Sequence, residues 1–76
     1  MTIEDFVAAF AAQFDETDAS VFTPQTEYRS LEEWTSLTAL SIIGMADQEY
    51  GVQLKGDDIR NARTVEDLYN IVKSRM

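Results

Sequence analysis

The sequence predicts an all-α fold: a small four-helix bundle, three main helices plus one short helix, with a long first loop. Three observations lead there. Apolar residues recur at three- and four-residue steps in separate stretches, no stretch alternates with the period of two that a half-buried strand requires, and capping residues and the only proline fall between the periodic stretches. With 76 residues and a 45% hydrophobic fraction, the chain suffices for one small globular domain spanning residues 1–76.

The first helix starts at Ile3, where Ile3, Phe6, Val7, Phe10 and Phe14 keep the helical period with alanines between them. Thr2 is placed to cap it, and Glu4 and Asp5 suit the positive end of its dipole. Residues 15 to 35 hold Pro24 and many Asp, Thr and Ser without a sustained period, so they read as a loop of about 20 residues, long for so small a domain. Phe22, Tyr28, Leu31 and Trp34 are its available anchors over the helix ends. Thr35 or Ser36 caps the second helix, which runs to about Tyr50 and stops at Gly51. An extended turn, "VQLKGDD", follows, with Asp57 placed to cap a short helix through Ile59 and Ala62. The last helix opens at Thr64 with Asp67 three residues on, and carries Val65, Leu68, Tyr69, Val72 and Met76 on its apolar face.

Composition narrows function before any motif does. The chain has no cysteine and no histidine, which removes thiol nucleophiles, disulfides, imidazole bases and the usual zinc and iron ligand sets. At this size a deep active site would compete with the core for the same few apolar side chains. The reading is therefore a protein that is not an enzyme and holds no metal. Fourteen acidic against six basic residues give a formal charge of −8, which repels nucleic acid and anionic membranes and attracts proteins with basic patches. Residues 1 to 33 hold eight acids and, of the bases, only Arg29. Neither a signal peptide nor an apolar run long enough to span a bilayer is visible, so the expectation is a cytoplasmic protein without membrane insertion.

At 100° per residue from Ser36, the residues Ala39, Ile42, Ile43, Ala46 and Tyr50 share one arc of the second helix, the expected core stripe. Leu37, Leu40, Ser41, Gly44, Asp47 and Gln48 share another, next to Ser36 and facing away from the core. Two readings stay open for that second face: ordinary surface with a few exposed leucines, or a recognition surface whose partner acts on Ser36, with Asp47 and Glu49 meeting basic residues at its rim.

Ser36 admits the same choice between cap and functional group. The helix start presents unpaired N–H groups and positive potential, which favour a phosphate ester there, and Thr35 can cap in its place. No base lies beside it in sequence, so it is a poor nucleophile by itself and a better substrate for another enzyme's modification. Glu32 and Glu33 read as ordinary solvated charge rather than an acid/base pair.

The stretch "YRSLEEWTSLTALSIIGMADQEYGVQL" resembles the acyl carrier protein family, in which an aromatic, a leucine and then Asp-Ser-Leu introduce the second helix. The likeness extends over essentially the whole chain, through the aromatic-rich first helix, the long loop, the "YGV" ending, the short third helix and the "TVEDL" opening of the last. It implies an acyl-carrier-protein-like bundle in which Ser36, between Thr35 and Leu37, carries 4′-phosphopantetheine. A phosphopantetheinyl transferase (holo-carrier synthase) would attach it from coenzyme A, and its thiol would hold acyl groups as thioesters. The resemblance also implies that Leu37, Leu40, Ser41, Gly44, Asp47 and Gln48 face acyl-transferring or acyl-ligating partner enzymes with basic docking patches. The sequence departs from the family pattern at Thr35, usually Asp; at Ser41, commonly acidic; at Gly44, usually larger and apolar; and at Trp34, a bulky aromatic where a small residue is frequent. These departures point to a specialised fatty acid, polyketide or surface polysaccharide pathway.

Two functions therefore compete: a monomeric, non-catalytic acyl carrier, and an unmodified carrier-like interaction module that docks through its second helix. An acidic nucleic acid mimic and an autonomous enzyme rank below both. Ala39 and Ala46 leave either room for an acyl chain beside the second helix or a space that Phe10, Phe14 and Tyr69 fill.

Overall fold

A computed structural model describes residues 1–76. Its elements are α1 (Ile3–Ala11), 3₁₀ turns at Ala19–Val21 and Tyr28–Ser30, α2 (Ser36–Tyr50), α3 (Gly56–Asn61) and α4 (Val65–Ser74). This is the all-α bundle that the sequence predicts, with α1 packed against α2 and α4, and α3 against α4.

In α1 the Thr2 hydroxyl accepts from the Asp5 N–H at 3.1 Å, and Phe6, Phe10 and Ala11 are buried. The helix is shorter than its periodicity. Gln13 and Phe14 donate to Phe10 and Ala11 in a tightened last turn, and the next N–H groups, of Asp15 and Glu16, donate to the Glu33 carboxylate at 2.7 and 3.1 Å. Glu33 also accepts from the Thr17 hydroxyl at 2.6 Å. That hydroxyl first, and then the loop N–H groups, hold its carboxyl below the usual range. Glu33 is thus a loop anchor, where the sequence suggested only solvated charge.

The first loop is not featureless, because its two 3₁₀ turns carry its aromatics inward. Phe22 and Tyr28 are buried, and Leu31 and Trp34 are partly buried against the core. Phe14 and Phe22 lie 4.7 Å apart, Phe10 and Tyr28 5.4 Å, and Tyr28 and Trp34 5.0 Å between ring centroids, within the range for tilted aromatic pairs. The Tyr28 hydroxyl donates to Ile59 O at 2.7 Å, with Ala62 O at 3.2 Å, and burial pushes its pKa up to about 12. Backbone bonds from Val65 to Thr26 and from Glu66 to Pro24 fasten the loop to the start of α4.

Thr35, not Ser36, caps α2. Its hydroxyl accepts from Thr38 N–H at 3.3 Å, while the Thr38 hydroxyl accepts from Thr35 N–H at 3.2 Å and donates to Glu33 O at 3.0 Å. At the other end Gly51, at φ 67°, donates to Asp47 O, and Val52 donates to Ala46 O. This paired closure needs the left-handed conformation that glycine takes without strain.

The buried stripe of α2 is rotated from the predicted arc. Ile42, Met45 and Ala46 are buried, whereas Ala39, Ile43 and Tyr50 are only partly so. Met45 adds volume on the side facing α1, which turns the helix and leaves Ala39 and Ile43 at a surface cleft. Ala46 is fully buried, so its side is filled, and Ala39 borders open space. In α3 the predicted Asp57 cap is corrected: the Asp58 carboxylate accepts from Lys55 N–H at 2.8 Å, and Asp57 pairs with Arg60 on the surface. Met76 lies beyond α4 and is exposed, because the helix ends at Ser74 before its next apolar turn is complete.

Asp58 gives the fold an acid-sensitive clasp. Both guanidinium nitrogens of Arg75 meet its carboxylate, at 2.8 and 2.7 Å. The Arg75 hydrogen bonds first, and then the Lys55 N–H, lower its pKa from 3.8 to about 2. A depressed carboxyl pKa stabilises the fold fully above the unfolded value, and that contribution is lost as pH falls from 3.8 through about 2. The urea midpoint of the wild type is expected to fall across that window, and Asp58→Asn is expected to lower it at neutral pH and flatten part of the acid slope.

Candidate functional site

Ser36 is the first residue of α2 and lines an open cleft of ≈ 590 Å³ together with Trp34, Thr35, Ala39, Leu40 and Ile43, Arg29 of the first loop, and Gly56, Ile59 and Arg60 of α3. The capping box puts it there. Because the Thr35 and Thr38 hydroxyls satisfy each other's backbone, the Ser36 hydroxyl is exposed and makes no hydrogen bond within the chain. The Ser36 and Leu37 N–H groups precede the first intrahelical bond, which Ala39 makes to Thr35 O, and they too point outward without partners.

The predicted outward face is present. Leu37 and Leu40 are 75% and 62% exposed, and Ser41, Gly44, Asp47 and Gln48 are exposed beside them. The face divides in two. Leu40 borders the Ser36 cleft, while Ser41, Gly44, Asp47 and Gln48 border a second groove, shared with Ala9, Ala12 and Gln13 of α1. Leu37 borders neither and is the most exposed large side chain of the face. A Cβ on Gly44 would meet nothing within 4 Å, so the fold does not require glycine there.

Sequence reasoning missed four residues that line the cleft with Ser36. Arg29 comes from the first loop, and Gly56, Ile59 and Arg60 from α3, so no local period connects them with Ser36. The one available signal was that Arg29 is the only base among the first 33 residues.

The site has an unpartnered hydroxyl, free N–H groups, and a cleft with an apolar floor and cationic edge. It has no base in contact with that hydroxyl, and no cluster of carboxylates that would hold a metal ion. An exposed, unbonded hydroxyl at the start of a helix is sterically open to a covalently attached group. The family model described as "phosphopantetheine attachment site" matches residues 4–72, and the chain belongs to this family. The family attaches 4′-phosphopantetheine as its prosthetic group, and its members are carriers that engage a transferase and other enzymes. No curated protein matches the sequence at a significant level. The donor set fits the group: an exposed hydroxyl for the ester, N–H donors for phosphate oxygens, and apolar side chains for the aliphatic arm.

Proposed function

We propose that the protein is an acyl carrier, a single domain over residues 1–76 that bears 4′-phosphopantetheine on Ser36. The observation that carries this reading is the Ser36 hydroxyl, left exposed and unbonded at the start of α2 while Thr35 takes the capping role. In loading, Ser36 Oγ forms a bond to the β-phosphorus of coenzyme A, the phosphoanhydride bond breaks, and adenosine 3′,5′-bisphosphate leaves. The hydroxyl proton passes to a base of the transferase, because the chain has no histidine and places no base in contact with this oxygen. The bound group supplies a thiol for thioester chemistry, which a chain without cysteine lacks.

Thr35 holds the helix start rigid, so that Ser36 meets the transferase in one geometry. Leu37, Leu40, Ser41, Gly44, Asp47 and Gln48 form the docking face, with leucines for contact area and Asp47, beside Glu49 at the rim, for attraction to basic partner patches. The net charge of −8 supports long-range attraction to such patches. Ser41 and Gly44, where an acid and a larger apolar residue are common, favour partners from a specialised fatty acid, polyketide or surface polysaccharide pathway. A cytoplasmic monomer suits the role, since a shuttle must release each partner.

Incubation with coenzyme A and a broad-specificity transferase tests the reading. The expected result is a mass gain of one phosphopantetheine per chain, followed by a thiol that accepts an acyl group and releases it to hydroxylamine. A protein that stays at its unmodified mass, although its circular dichroism shows the folded bundle, contradicts it.

A further inference from the structure

We infer that Arg29 and Arg60 clasp the phosphodiester of the arm on Ser36, and that the branched aliphatic part next to it lies in the cleft against Trp34 and Ile43. This deepens the preceding reading and rests on it.

The charge distribution is the first support. The chain has six basic residues against fourteen acids. Arg75 is held by Asp58 at 2.7 Å, Arg63 faces Glu27 at 3.9 Å, and Lys73 lies over the Tyr69 ring at 5.8 Å. Arg29 and Lys55 form no ion pair, and of the two only Arg29 lines the cleft that Ser36 borders. Arg60, which lines the same cleft, has only Asp57, an exposed pair three residues apart on a short helix. Pairs of that kind are weak in water, so a phosphate can displace the carboxylate. Two guanidinium groups from separate elements thus meet at one cleft of a strongly acidic protein. Each presents a planar fork suited to two phosphate oxygens.

The backbone makes room for this arrangement. A Cβ on Gly56 would stand 3.3 Å from Nη1 of Arg60, so the guanidinium lies over the bare glycine at the start of α3. Below the cationic edge the cleft is apolar, with Trp34, Ala39 and Ile43 partly buried and Ile59 buried. The arm has the same order of chemistry from Ser36 outward: an anion, then a carbon bearing two methyl groups, then amides. An arm held this way lies against the protein until a partner or high salt draws it off.

The holo-protein, made with coenzyme A carrying ¹³C in the two branch methyls, tests the inference. Nuclear Overhauser contacts from those methyls to the Trp34 ring and Ile43 are expected. So is a phosphorus resonance displaced from that of free phosphopantetheine esters and moved back by molar salt. Each of Arg29→Gln and Arg60→Gln is expected to lower the docked-to-free ratio about tenfold, as loss of a charge-assisted hydrogen bond does, while Lys73→Gln leaves it unchanged. Emission from Trp34, the only tryptophan, is expected to change on loading and to respond to the same variants. A loaded wild type without methyl contacts, and with a salt-insensitive phosphorus shift, overturns the clasp alone. Failure of Ser36 to load overturns both this inference and the carrier reading.

Discussion

Ser36→Ala is expected to abolish loading completely while leaving the bundle as stable as the wild type, within about 0.5 kcal/mol. Both halves follow from the same geometry. The Ser36 side chain is exposed and unbonded, so its removal breaks nothing inside the protein, and alanine is the better helix former. The stabilising contacts at this helix start belong to its neighbours, because Thr35 and Thr38 bond each other's backbone and Thr38 reaches back to Glu33. Intact mass after incubation with coenzyme A and transferase gives the first half, and a thermal melt gives the second. Binding of partner enzymes through Leu37, Leu40 and Gly44 is expected to survive, which separates the docking face from the attachment point.

The opposite outcome is expected inside the bundle. Phe10 is fully buried, and its ring lies 5.4 Å from Tyr28, 5.6 Å from Phe14, 6.0 Å from Phe22 and 6.3 Å from Phe6. It joins α1 to the loop aromatics that position the start of α2. Phe10→Ala is expected to cost about 3–5 kcal/mol, against a total stability of roughly 4–11 kcal/mol for a domain of this length. Chemical denaturation is the direct measurement. The variant is expected to melt about 15–30 °C lower, or to be largely unfolded at room temperature. Loading falls with it through loss of the folded helix start, and returns on cooling in proportion to the folded fraction.

How much of this was legible in the sequence depended on how local each cause is. The α1, α2 and α4 periods, the caps at Thr2 and Thr64, and the glycine stop at Gly51 are set by residues within one or two turns of each other, and they read directly. The outward face of α2 read well for the same reason, since angular position follows from spacing alone. The rotation of the core stripe towards Met45 did not, because it depends on the space left by α1. Glu33 looked like idle charge beside Glu32, and only the folded chain brings Asp15, Glu16 and Thr17 to it. The start of α3 was placed too late, with Asp57 as its cap: the helix opens at Gly56 after Lys55, and the carboxylate that bonds back to Lys55 N–H is that of Asp58, three residues on. Arg29 and Arg60 are far apart in the chain and come together only as lining of one cleft, so the cationic groups near Ser36 had no local signature.

The proposal of Ser36 as the attachment point comes partly from chemistry and partly from resemblance. Free N–H groups at a helix start and the lack of a nearby base suggested a modified serine, while the group on it came from the likeness to carrier proteins. The match over residues 4–72 establishes the family. Thr35 in place of the usual aspartate is the departure on which the competing reading, an unmodified docking module, depends. The capping box shows how threonine keeps the helix start intact.

Intact-mass spectrometry of the protein purified from its own host, with fragmentation to locate any added group, tests the carrier assignment most directly. The expected result is one phosphopantetheine, confined to the fragment containing Ser36, with any further mass identifying the cargo. Folded protein that carries no added mass in its native host, while its docking face still binds a partner, would contradict the assignment and make the unmodified module the function.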